Sequence, residues 1–105
     1  MTPDTVADST SLLRSRIKVP QHVVYRSFPS ETVVLNLQTG KYHGLNATAG
    51  RMLTVLEGAS SVRDAAVALA ESYEQDREVL EHDLCVLCQA LLERGLIEAD
   101  VSPEP

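Results

Sequence analysis

Apolar and polar residues change period once along this chain. Up to about Leu45 the apolar positions alternate or fall in short β-rich runs; beyond it they recur at three- and four-residue spacing. Residues 17–28 hold Val19, Val23, Val24 and Tyr25, a β-rich composition that Pro20 interrupts, so a strand there lies at an edge or starts after the proline. Thr32 to Leu37 is the clearest strand, with Val33, Leu35 and Leu37 on one side and Val34 and Asn36 on the other. Thr39-Gly40 has the composition of a tight hairpin turn, which sets Leu37 opposite Tyr42, Asn36 opposite His43 and Leu35 opposite Gly44. Lys41 to Leu45 is then a third strand. Nothing later in the chain has the pattern to pair with it, which leaves it an open edge.

The helical half is punctuated by caps. Asn46 suits an N-cap, because its side-chain oxygen can accept an amide that the first turn leaves free. A helix from Ala47 to Glu57 ends at Gly58, and Ser61 with Asp64 forms a capping box for a second helix reaching Tyr73. Asp76 stands where it can cap a third helix, which runs to Arg94 and stops at Gly95. On that helix Leu80, Leu84, Leu87 and Leu91 make a central stripe, with Cys85, Cys88 and Leu92 on an apolar flank. The other flank, with Asp76, Val79, Asp83, Val86 and Ala90, is mixed and has the character of a groove lip. Leu96-Ile97 is an apolar hook. This reading gives an α+β fold, a small three-stranded antiparallel sheet followed by three helices. The domain spans residues 17–98, between flexible tails at 1–16 and 99–105.

Charge and candidate chemistry narrow the function. The chain is 105 residues with a net charge of -6, a poor match to a phosphate-backbone binder. There is no apolar run long enough to span a membrane and no signal-peptide pattern, so a cytoplasmic location is expected. Cys85-x-x-Cys88 lacks the second ligand pair of a zinc site and sits mid-helix rather than at a helix start, so a core role is expected. His22, His43 and His82 are scattered, with no nucleophile spaced to work with them. No phosphate loop or metal set is visible, and neither catalysis nor a cofactor is expected.

A combination of motifs carries a resemblance. Val33-Val34-Leu35-Asn36-Leu37, Gly40-Lys41-Tyr42, Leu45-Asn46-x-x-Ala49, the Gly58 break and Leu91-x-x-x-Gly95-Leu96-Ile97 together resemble the PqqD-like family, recognition elements for the precursors of ribosomally made, modified peptides. The Gly-x-Tyr-x-x-Leu-Asn-x-x-Ala pattern is most similar to the stand-alone leader-binding proteins of lasso-peptide pathways. The absence of Trp departs from the quinone-cofactor members. The resemblance covers residues 22–98. It implies a winged helix-turn-helix-like fold without catalysis, which binds the leader of a precursor peptide by strand addition and presents it to a leader peptidase or another modifying enzyme. The residues it marks for the peptide are Lys41, Tyr42, His43, Gly44 and Leu45 on the strand, Val34 beside it, and Asp76, Val79, Asp83 and Val86 on the third helix. It implies a monomer or weak dimer, with no nucleic acid or membrane partner. Two other classes stay open: a winged-helix DNA-binding regulator, and a non-catalytic subunit of another peptide-modifying enzyme such as a radical enzyme.

Overall fold

The computed structural model describes the backbone of residues 9–101 and the side chains of 11–100. The element order is α1 (Ser9–Leu13), β1 (Ser15–Lys18), β2 (Val23–Ser27), β3 (Glu31–Asn36), β4 (Tyr42–Asn46), α2 (Ala47–Gly58), α3 (Val62–Tyr73), α4 (Arg77–Glu93) and β5 (Glu98–Val101). The architecture is α+β, with a three-stranded antiparallel sheet in the order β2-β3-β4 and a separate two-stranded pairing of β1 with β5.

The expected caps form at α2 and α3. Asn46 Oδ1 accepts from the Ala49 amide at 2.8 Å, and Ser61 Oγ accepts from the Asp64 amide at 3.1 Å. Asp76 occupies the N-cap position of α4, where its backbone carbonyl accepts the first intrahelical bond from the Leu80 amide, but its side chain caps nothing. Gly95, at φ +70°, turns the chain out of α4 so that Leu96 and Ile97 fold back into the core.

The hairpin between β3 and β4 differs from the expectation by two residues. Leu35 faces Tyr42, Val34 faces His43 and Val33 faces Gly44. The cause is Asn36, whose Oδ1 accepts from the amides of Gln38 and Thr39 while its backbone carbonyl accepts from Gly40. This closes a longer loop in which only Gly40 needs positive φ, whereas a two-residue turn would press the β-branched Thr39 toward the same region. A shift of two preserves which side chains share a face. The face that the helices cover carries Thr32, Val34 and Leu45; Val33, Leu35 and Tyr42 stand on the other.

The segments expected as tails join the fold wherever the structure describes them. Leu12 is 2% exposed, and β1 pairs with β5 from Ser15↔Val101 to Lys18↔Glu98. Folded residues therefore extend outside 17–98 at both ends; residues 1–8 and 102–105 of the expected tails lie outside the described residues. Pairing between the two ends of a sequence leaves no local period to read, which is why both segments resemble tails.

One close approach locks the sheet to the helices. A Cβ on Gly50 would lie 2.0 Å from Thr32 Oγ1 and 2.6 Å from Thr32 Cβ, so α2 crosses β3 at a distance that only glycine permits. Thr32 is itself held by Ser27 through a 3.1 Å hydroxyl–hydroxyl bond. Two variants test this packing by urea denaturation. Gly50→Ala should cost at least ~1–3 kcal/mol, the usual penalty of overpacking. Leu12→Ala should cost ~2–5 kcal/mol as a core truncation, where a tail residue would cost nothing measurable.

Candidate functional site

β4 is an edge strand, and its free side can be assigned by residue. In an antiparallel ladder, residues alternate between bonding one neighbour and facing the other way. The Asn36 amide donates to the Lys41 carbonyl, and the Leu37 amide donates to the His22 carbonyl on the far side of β3. The alternation therefore directs the backbone groups of His43 and Leu45 at β3, and leaves those of Tyr42, Gly44 and Asn46 pointing outward along the open edge. Tyr42 is 72% exposed and Gly44 is also exposed, and no described element is paired along this edge.

Beside this edge, the start of α2 and the middle of α4 bound an open groove of about 470 Å³. Asn46, Ala49 and Met52 line one wall, and His82, Asp83 and Val86 the other. Asp83 and Val86 are thus where the helical wheel puts them, and Val86 is 53% exposed. Val79 is exposed on the same face one turn earlier, outside the lining, and Asp76 lies at the helix start. Val34 is fully buried between sheet and helices, so its side chain is no part of an accessible surface. Leu45 is buried and His43 half-buried, which restricts the strand's inner side to backbone and imidazole. Met52 and Ala49 escaped the sequence reading because they belong to the apolar stripe of α2. His82 escaped it because an isolated histidine on a wheel carries no signal.

The described residues hold no group of three or more His, Cys, Asp or Glu side chains placed to bind a metal. Burial pushes the Cys88 thiol up to about 12, with the neighbouring Cys85 thiol adding to the shift. The Cys85 thiol is raised too, chiefly by burial and then by Glu81. Raised thiols are poor nucleophiles and poor metal ligands, so the pair is packing material. Burial, then the bond to Glu57, raises the Tyr25 hydroxyl; that bond ties β2 to α2.

Three comparisons bear on the site. The family described as Coenzyme PQQ synthesis protein D (PqqD) matches residues 31–97, from the start of β3 to the apolar hook. Among solved structures, TbiB1 in complex with the TbiA(beta) leader peptide is 34% identical, with a TM-score of 0.70 over 77% of this chain and 94% of that one. Lasso peptide synthetase B1 complexed with the leader peptide is 26% identical, with a TM-score of 0.70 over 79% of this chain and 98% of that one. No curated protein sequence matches.

The thiols give a pH prediction. Cys88 has a folded pKa above its ordinary value of 9.0, so its contribution to stability is complete below pH 9 and disappears as pH rises toward 12. Unfolding free energy should fall over that window in wild type, and the slope should be shallower in Cys88→Ala. At neutral pH a thiol reagent should label neither cysteine until denaturant is added.

Proposed function

The chain belongs to the PqqD family, and we propose that it binds the leader segment of a ribosomally made precursor peptide and presents it to a modifying enzyme, the leader peptidase of a lasso pathway. One observation carries this reading: an open strand edge beside a groove, in a chain similar to TbiB1 over most of both lengths. The leader adds antiparallel to β4 as the next strand of the sheet. Its backbone bonds Tyr42, Gly44 and Asn46, which gives affinity without sequence demands. Alternate leader side chains enter the groove against Met52 and Val86 and supply specificity. The protein performs no chemistry itself. It raises the local concentration of precursor at the enzyme, so that cleavage becomes effectively intramolecular. The described residues include no helix long and apolar enough to cross a membrane, and we place the protein in the cytoplasm as a monomer or weak dimer.

The DNA-binding reading has little support. The exposed face of α4 carries Glu78, Asp83 and Glu93, and Arg77 is engaged with Glu81 at 3.4 Å. A major groove would repel such a helix.

Three measurements check the proposal with a synthetic leader of the pathway's precursor. Amide exchange should slow at Tyr42, Gly44 and Asn46 on binding, while His43 and Leu45, already bonded to β3, change little; uniform behaviour along β4 would rule out strand addition there. Val86→Glu should weaken binding by ~1–3 kcal/mol with the fold intact, because a charge enters an apolar contact. Asp76 and Asp83 should add mainly a salt-dependent association rate, since an exposed pair is worth only ~0–1 kcal/mol.

A further inference from the structure

The face of the sheet turned away from the helices is uncovered by any described element and mostly apolar, with Arg26 and Glu31 as its charged side chains. Val24 and Arg26 on β2 stand opposite Leu35 and Val33 on β3, and the same face continues to Tyr42 and Gly44 on β4. Val24 is 47% exposed, Phe28 50% and Leu37 56%. Val24, Arg26, Phe28, Val33 and Leu35 line a depression of about 380 Å³. Arg26 has no carboxylate partner among the described residues, although the chain as a whole is acidic. A solitary guanidinium amid apolar and aromatic side chains has the composition of a protein-interface hot spot.

Two features of the fold identify the occupant. First, a leader added to β4 becomes part of this sheet, and every second leader side chain stands on this same face, beside Gly44 and the Glu31 carboxylate that lies against it. A protein seated on the face therefore touches carrier and cargo together. Second, β4 runs from Tyr42 to Asn46, so a peptide antiparallel to it passes Asn46 first and leaves the sheet at Tyr42. Its downstream part, which holds the cleavage site, emerges at the hairpin loop, where Leu37 and Tyr42 are exposed at the border of the face.

We propose that the outer face of the β2-β3-β4 sheet, centred on the Val24–Arg26–Phe28 depression, is the docking surface for the leader-cleaving enzyme, through an apolar patch of that enzyme bearing a carboxylate for Arg26. This rests on the leader-binding reading above and assigns its partner a surface distinct from the groove. The enzyme is thereby placed where the peptide leaves the sheet, and it binds the loaded carrier better than the empty one.

The test uses the full chain with the purified leader peptidase and precursor of the same pathway. Arg26→Glu, Val24→Asp and Phe28→Ser are compared with Arg63→Glu, a charge reversal on exposed α3. Leader affinity is read by fluorescence polarisation, precursor cleavage by mass spectrometry, folding by thermal melt and self-association by sedimentation. The three face variants should bind leader within about twofold of wild type yet stimulate cleavage at least about tenfold less at sub-saturating enzyme, while the control behaves as wild type. Unimpaired stimulation by all three overturns the proposal. So does a parallel loss of leader affinity, which would assign the face to the leader itself. A wild-type dimer that the face variants dissociate, with stimulation unchanged, would show that a second copy occupies the face. If wild type fails to bind leader, the leader-binding reading falls, and the docking assignment with it.

Discussion

The contact between Gly50 and Thr32 is the constraint on which the rest of the molecule depends. It brings α2 onto β3 at backbone distance, and Thr32 in turn anchors β2 through Ser27. Because β4 runs directly into α2 at Asn46, fixing α2 against β3 also fixes where the open edge lies relative to α4. Any larger residue at position 50 would push α2 outward and change the width of the groove between its first turn and Val86. Glycine costs helix propensity. Here that cost is offset by a packing distance no other residue allows.

In the proposed reading, sheet and helices have separate roles in recognition. The edge of β4 offers backbone groups, which bind any extended peptide and discriminate little. The groove offers Met52, His82, Asp83 and Val86, a mixture of apolar and polar side chains that can discriminate. The two cysteines stand apart from both surfaces in character: they are buried, and burial raises both thiols.

Much of this was legible in the sequence, because it is encoded locally. Asn46, Ser61 and Gly95 act within four residues of themselves, and the stripe on α4 repeats along one element, so the caps, the helices and the exposed Asp83–Val86 flank can be read from spacing alone. What could not be read depends on distant partners. The hairpin register is decided by the Asn36 side chain gathering amides of the loop, which outweighs the turn composition of Thr39-Gly40. The burial of Val34 follows from which sheet face α2 covers, and alternation alone gives two equivalent faces. Residues 15–16 and 99–101 look unstructured because each needs the other for pairing, and α1 before them is too short to show a helical period.

That last pairing has a topological consequence. With β1 on β5, the folded residues form a ring closed by a clasp, and the three-stranded sheet lies wholly inside the ring. The described backbone enters this clasp from α1 and leaves it at Val101, and neither strand of the clasp touches the β2-β3-β4 sheet as a ladder partner. The clasp thus joins two segments far apart in sequence without using the edge of β4, so closing the fold and leaving a strand edge open are tasks of two different sheets.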